Sequence, residues 1–149
     1  MKIATSFFAV ITTVFAVMIS NSAFAAEQTI NAEARAFKPD IIYVQPGDTV
    51  GWTNMTSHMV ASVEGLIPEG AKPWQGQLGE DLQVTLDKEG VYGYVCTPHL
   101  GFGMVGVIVV GKPTNLEAAT KYLQDKYTGT PIARLLGKFK QVKPQVAAK

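Results

Sequence analysis

The chain has 149 residues and a formal net charge of +1, which fits one domain with an appendage. Hydrophobic residues make up 47% and charged residues 17%, a composition that allows a packed core and excludes long disordered regions. One cysteine excludes a disulfide framework within the chain, two histidines exclude a histidine-rich metal cluster, and the near-neutral charge argues against a general nucleic-acid binder.

Residues 1–25 have the features of a cleavable secretory signal peptide. Lys2 is the only charged residue before Glu27, and an apolar run follows it. The small residues Ala23 and Ala25 stand three positions and one position before the expected cut, in the A-x-A pattern. The alternative is a membrane anchor, but the apolar run is short for spanning and no positive stop-transfer cluster follows. We expect cleavage after Ala25, export to a bacterial periplasm and no membrane association of the mature chain.

Residues 26–111 show the pattern of a β-sandwich. Short segments rich in β-branched and aromatic residues alternate with turn signals such as Pro46-Gly47-Asp48. Glycines and prolines are frequent over residues 64–81, which predicts a long irregular excursion between strands. The predicted strands are 28–34, 40–45, 48–54, 59–63, 82–86, 91–96 and 104–110.

Residues 112–149 have a helical rather than a strand-like period. Apolar side chains recur at three- and four-residue spacing, and such a stripe needs a surface against which it can be buried. We expect two helices that pack on the sandwich, and the alternative is an amphipathic helix that binds a partner. The stripe of the second helix consists of Ile132, Leu135, Leu136, Phe139 and Val142.

The starts of both helices carry recognisable signals. Thr114 and Glu117 have the spacing of a capping box, which predicts a first helix that runs to about Tyr127. Thr130 and Pro131 fit the N-cap and the first position of a second helix.

The scarce metal-binding residues of the chain fall into one pattern. Cys96 ends a predicted strand, His99 follows after three residues and Met104 after five more, in a loop whose glycines permit tight backbone. His58 follows another predicted strand, and the two inter-strand loops can meet at one end of a sandwich. Two imidazoles, one thiolate and one weak thioether are the donor set of mononuclear blue copper.

Other interpretations of these residues are weaker. A buried core cysteine is common, but a lone thiol in an exported chain is open to oxidation unless a metal or a partner holds it. Zinc disfavours a thioether ligand, and calcium and magnesium need oxygen donors. A cysteine nucleophile with a histidine base lacks a third orienting group, and haem attachment needs a second cysteine. We therefore favour copper, and we expect no enzymatic activity.

The loop Cys96-Thr97-Pro98-His99, with Met104 behind it, resembles the cupredoxins, the type 1 blue copper family, and within them the pseudoazurins. The resemblance implies an all-β Greek-key cupredoxin sandwich of eight strands with two C-terminal helices. It also implies one copper ion per chain, which cycles between Cu(II) and Cu(I) while the protein carries single electrons. Other stretches that match the family are 65–71, 91–95, 103–107 and 115–118. The implied ligands are His58, Cys96, His99 and Met104.

The chain departs from the family around these ligands. Family members usually have an asparagine directly after the first ligand histidine, where it bonds to the cysteine-bearing loop, and this chain has Met59. We expect Met59, Thr97 and Pro98 to surround the ligands without binding the metal. Relatives also tend to carry lysines around the exposed histidine, at positions occupied here by Gln75 and Gln77.

The resemblance implies partners as well as a cofactor. A monomer of this kind would exchange electrons with periplasmic redox proteins such as copper nitrite reductase or a c-type cytochrome. We expect the docking patch to consist of Leu100, Gly101 and Phe102 beside the exposed His99. A second class, a periplasmic protein that stores or delivers copper, would use the same ligands, but the Cys-His-Met loop favours the electron carrier.

Overall fold

The structure is a computed structural model that describes residues 25–143. Apart from Ala25, the predicted signal peptide lies outside the described residues. Within 25–143, no helix combines the length and the apolar character needed to cross a bilayer.

In the described part of the chain, eight β-strands form two sheets that enclose a common core. The strands are β1 (Glu27–Glu33), β2 (Ala36–Lys38), β3 (Ile41–Val44), β4 (Asp48–Thr53), β5 (Val60–Ser62), β6 (Leu82–Leu86), β7 (Gly90–Cys96) and β8 (Val105–Val110). One four-stranded sheet has the order β2-β1-β4-β6, and the other has the order β3-β8-β7-β5. β1 runs parallel to β4 and β3 parallel to β8, whereas the other pairs are antiparallel.

The predicted strands are confirmed, each within one residue of its expected ends. The sequence pattern misses β2, because a strand of three residues is too short to show alternation. With β2 the count reaches the eight strands that the resemblance implies. The irregular segment predicted for 64–81 lies between β5 and β6, with a single bridge between Ala61 and Gln75 near its middle.

Strand β7 is buried on both faces, and its alternation divides the interior into two clusters. Tyr92, Tyr94 and Cys96 face the cluster between the sheets. Val91 and Val95 face a second cluster, which the C-terminal helices cover. The C-terminal helices therefore pack against the outer face of the sheet that contains β7. Helix residues buried in the second cluster are Ala119, Leu123, Leu135 and Phe139.

The C-terminal helices are α1 (Leu116–Tyr127) and α2 (Leu135–Phe139). A 3₁₀ turn over Pro131–Arg134 leads into α2, so Pro131 opens a 3₁₀ turn rather than the expected α-helix. Thr130 holds the expected N-cap position of this turn with Pro131 after it, but its hydroxyl donates to the carbonyl of Tyr127 at 2.8 Å instead of capping the turn.

The capping box expected at the start of α1 is wrong. The Thr114 hydroxyl donates to the carbonyl of Glu89, 3.2 Å away, and the N-cap position is Asn115, whose side chain does not cap the helix. The Asn115 side chain accepts a bond from the amide of Val91 (2.6 Å) and donates to the Val91 carbonyl (3.0 Å). The side chains of Thr114 and Asn115 therefore hold the start of α1 against the sheet. They satisfy backbone groups at or just before the start of β7, and such groups are costly to bury without a hydrogen-bond partner.

Candidate metal centre

The Cys96 thiol and both histidine rings converge at one end of the sandwich. The Nδ1 atoms of His58 and His99 lie 3.1 Å apart, and the Cys96 Sγ lies 3.5 Å from each of them. Cys96 is fully buried, His58 is 4% exposed and His99 is partly buried. Their potential ligand atoms all lie within 4.8 Å of one another, so one metal ion can contact all three. Imidazole and thiolate donors without carboxylates suit copper better than a hard cation.

The loop after β7 is closed by its own backbone. The His99 amide donates to the Cys96 carbonyl at 3.2 Å, and the Met104 amide donates to the His99 carbonyl at 3.3 Å. The Cys96 amide in turn donates to the Met104 carbonyl at 2.9 Å. The Met104 side chain is fully buried in the same inter-sheet cluster as Cys96. These bonds return the chain at Met104 to the backbone of Cys96, eight positions earlier in the sequence.

Gly103 gives this loop its final turn. It adopts φ = +81°, the left-handed region that favours glycine, and its amide bonds to the Leu100 carbonyl at 2.8 Å. Between His99 and Gly103 the chain forms a short 3₁₀ turn, Leu100–Phe102. The turn points the chain back into the core at Met104.

The loop that carries His58 lies between β4 and β5. The His58 amide donates to the Met55 carbonyl at 2.8 Å, and the His58 carbonyl accepts from Gly79 at 3.0 Å. The Met55 amide donates to a carboxylate oxygen of Asp81 at 3.2 Å. The irregular segment before β6 therefore supports His58 from the outside.

The two ligand loops are joined through their backbones. The Thr97 amide donates to the Met59 carbonyl at 2.9 Å, next to the paired residues Val60 and Cys96 of β5 and β7. The Met59 side chain is not needed for this link. Thr97 and Pro98 are exposed and Met59 is half-buried. The two ligand loops are therefore held together by a main-chain bond that does not depend on the side chain at position 59.

His58 has a pKa below that of an ordinary histidine. Burial lowers its pKa below the ordinary value for histidine, and the nearby ring of His99 lowers it further. The neutral ring is the form that binds a metal, so the site disfavours the proton that would compete with an ion.

The surface around His99 is apolar with a cationic rim. The Phe102 ring is 57% exposed and its centroid lies 6.2 Å from that of His99. Gly101 is exposed as well, whereas Leu100 is half-buried and packs against the cluster under the helices. The Arg35 guanidinium carbon lies 4.6 Å above the Phe102 ring, in cation–π geometry.

Two arginines lie at this rim, and no local sequence pattern indicates them. Arg35 comes from the turn between β1 and β2, and Arg134 comes from the 3₁₀ turn before α2 and lies against Gly103. Neither forms a salt bridge within residues 25–143. Both are far from the ligand loop in the sequence, so only the folded structure shows that they lie beside it.

Comparison with known proteins gives one consistent family. The family model "Copper binding proteins, plastocyanin/azurin family" matches residues 24–111, which is more than half of the chain. Pseudoazurin of Paracoccus pantotrophus is 38% identical over 88 residues, which cover 58% of this chain and 61% of that protein. Pseudoazurin of Methylorubrum extorquens is 39% identical over 94 residues, which cover 62% of this chain and 64% of that protein. The chain thus spans less than two thirds of the length of these curated relatives.

A solved structure agrees with these matches. The pseudoazurin structure from a Sinorhizobium species superposes with a TM-score of 0.69 at 41% identity and covers 79% of this chain and 97% of that one. The sandwich with two C-terminal helices is therefore shared, and the resemblance stated from the sequence is confirmed. Since the family model covers more than half of the sequence and the site holds the matching donor set, the chain belongs to the plastocyanin/azurin family of copper-binding proteins.

Proposed function

We propose that this chain is a periplasmic type 1 copper protein that carries single electrons between redox partners. The observation that carries the proposal is the convergence of His58, Cys96 and His99 at the edge of a closed core, with potential ligand atoms within 4.8 Å of one another. Proteins of this family bind copper, and these donors are the ones expected for it.

The ligands that we assign are His58, Cys96, His99 and Met104, for one copper ion per chain. A bound copper ion supplies a one-electron couple between Cu(II) and Cu(I). The thiolate of Cys96 and the two neutral imidazoles are the strong donors, and the thioether of Met104 is the weak one. The buried position of Cys96 and Met104 keeps water away from the sulfur atoms.

The backbone supports this task by keeping the donors in place. Main-chain bonds close the loop from Cys96 to Met104 and join it to Met59. Because these bonds do not involve the ligand side chains, they persist in both oxidation states, and little has to move when an electron enters or leaves. A site that moves little exchanges electrons with a small reorganisation, as a carrier needs.

His99 is the exit for the electron in this proposal. It is the least buried of the three converging ligands, and it lies beside the exposed ring of Phe102. An apolar patch excludes water where two redox centres approach, and small contacts let a carrier leave quickly. The patch of Leu100, Gly101 and Phe102 would meet a periplasmic partner such as copper nitrite reductase or a c-type cytochrome, with the carrier acting as a monomer.

The periplasmic location rests on the signal peptide predicted for residues 1–25 and on the copper–thiolate chemistry of the lone cysteine. An exported chain meets oxidants that a free thiol would not survive, and a bound metal protects the sulfur.

Copper loading followed by spectroscopy and voltammetry tests the function. The loaded protein should show an intense visible thiolate-to-copper band and fast, reversible one-electron cycling. Cys96→Ser is the matched variant, because a hydroxyl cannot supply that charge transfer, and the band should vanish while the far-UV circular dichroism stays unchanged. A colourless Cu(I) protein that hands its metal to an acceptor would contradict electron transfer and indicate storage or delivery.

A further inference from the structure

Asp48, the first residue of β4, is a buried carboxylate that lacks a side-chain counter-ion among residues 25–143. It is 7% exposed, and the salt bridges within residues 25–143 join Lys121 to Asp125 and Lys138 to Asp40. Removing a carboxylate from water without a cation is costly. A positive charge next to Asp48 would therefore stabilise its carboxylate, and no side chain within residues 25–143 supplies one.

The atoms bound to this carboxylate are main-chain nitrogens. One oxygen of Asp48 accepts from the amide of Gln45 at 2.7 Å, which closes the turn before β4. The other accepts from the nitrogen of Ala26 at 2.8 Å, 22 positions earlier in the chain. The first contact is local, whereas the second brings the beginning of the sandwich to the carboxylate.

Ala26 is held in register on its other side as well. Its carbonyl accepts from the amide of Thr49 at 3.0 Å, and the parallel pairing of β1 with β4 begins directly afterwards with Glu27 and Thr49. The nitrogen of Ala26 therefore stays opposite Asp48 as long as β1 is paired.

The same nitrogen is the one that the A-x-A pattern predicts to be released by the signal peptidase. Hydrolysis of the Ala25–Ala26 bond adds the hydroxyl of water to the Ala25 carbonyl carbon and leaves a hydrogen on the Ala26 nitrogen. The resulting amine takes up a proton from solution at neutral pH. A neutral amide with one hydrogen thereby becomes a cation with three.

We propose that Asp48 is the receptor for the processed N-terminus, and that cleavage after Ala25 converts the Ala26–Asp48 hydrogen bond into a buried ion pair. In the precursor the amide keeps the bond without the charge. Removal of the signal peptide then does more than release the protein, since it also completes the anchor of β1 on β4. The N-terminal strand becomes firmly held only in the exported form.

The decisive experiment compares the copper-loaded, reduced mature chain that begins with a free amine at Ala26 with the same chain acetylated at that nitrogen. Acetylation keeps the N–H donor and removes the charge. We expect urea unfolding, followed by circular dichroism, to show an unfolding equilibrium constant about tenfold larger for the acetylated chain, because bonds to charged groups contribute more than neutral ones. Equal stability of the two forms would overturn the proposal.

Variants place the effect at the carboxylate. Asp48→Asn should abolish the difference between the free and acetylated chains, whereas Glu33→Gln, at the exposed far end of β1, should leave it unchanged. A difference that survives in Asp48→Asn would show that the amine acts elsewhere. If Asp48→Asn does not fold, the comparison of the unsubstituted free and acetylated chains still decides.

The processing site itself is tested by the intact mass of the exported protein. We expect Ala26 as the first residue. A mature chain that begins at any other residue would place the ammonium group away from Asp48 and would contradict the proposal without bearing on the copper site.

Discussion

The side chain of Arg134 fills the space in which a side chain at Gly103 would have to sit. A Cβ atom at Gly103 would lie 2.7 Å from Nε and 2.8 Å from Nη1 of Arg134, and its Cδ would be closer still. Gly103 directly precedes Met104, so the C-terminal extension packs against the backbone beside the proposed thioether ligand. The C-terminal extension thus contributes to the packing around the candidate metal centre.

Gly103→Ala should therefore destabilise the protein and disturb the site. The left-handed φ of +81° and the displaced arginine together should cost about 1–3 kcal/mol in the free energy of unfolding. The visible spectrum of the copper-loaded variant should change because Met104 moves. Gly101→Ala is the control, since nothing lies within 4 Å of a Cβ there, and its unfolding midpoint in urea should stay close to that of the unmodified protein.

Met104→Gln should lower the reduction potential with little loss of copper affinity. An amide oxygen is a harder donor than a thioether and favours Cu(II), whereas His58, Cys96 and His99 continue to hold the metal. Voltammetry measures the shift, and a copper-chelator competition measures the affinity. A raised or unchanged potential would show that Met104 is not a ligand.

Phe102→Ala should slow electron transfer to a partner by about tenfold, as the loss of an exposed central anchor commonly does. Lys72→Ala should have a much smaller effect, because Lys72 lies beside Asp87 and Lys88 just before the start of β7, whereas Cys96 ends that strand. Stopped-flow measurement of the bimolecular rate with an acidic copper nitrite reductase compares the two. A Lys72 effect larger than that of Phe102 would mean that charge steering, and not the patch, governs docking.

The rim arginines belong in the same comparison, because Phe102→Ala also removes the ring below Arg35. Arg35→Gln should lower the rate at low salt and lose this effect at high salt, since exposed charges are screened. If its effect did not depend on salt, Arg35 would contribute packing on Phe102 instead of charge.

The copper-free protein should lose stability below about pH 6.5, the ordinary pKa of histidine. Burial lowers the pKa of His58 in the folded chain. In this pH range His58 therefore binds a proton in the unfolded chain but not in the folded chain, which favours unfolding. The stability that His58 contributes is therefore fully present above the ordinary histidine pKa. It is lost as the pH falls towards the lower pKa of His58 in the folded chain. Urea unfolding at a series of pH values measures it, and His58→Gln should flatten the decline; an equally steep decline in that variant would assign it to other groups.

Much of the architecture follows from local sequence patterns. Strands such as β4 and β7 carry alternating or continuous apolar residues bounded by turn residues, and their pattern predicts them within one residue of their ends. The candidate metal ligands are equally easy to find, because the chain has only one cysteine and two histidines and the spacing from Cys96 to Met104 is short. A site whose residues are of rare types and lie close together in the chain can therefore be predicted from the sequence alone.

Features that depend on contacts between distant segments were decided only by the tertiary structure. Thr114 has the right spacing for a cap, but its hydroxyl donates to the carbonyl of Glu89, which directly precedes β7 and lies within reach. The placement of Arg134 over Gly103 and of Ala26 at Asp48 joins residues far apart in the chain. No local pattern predicts such pairs, since they arise when the two sheets and the helices pack and bring distant segments together. Polar groups that are buried in this packing must then find hydrogen-bond partners among the groups around them.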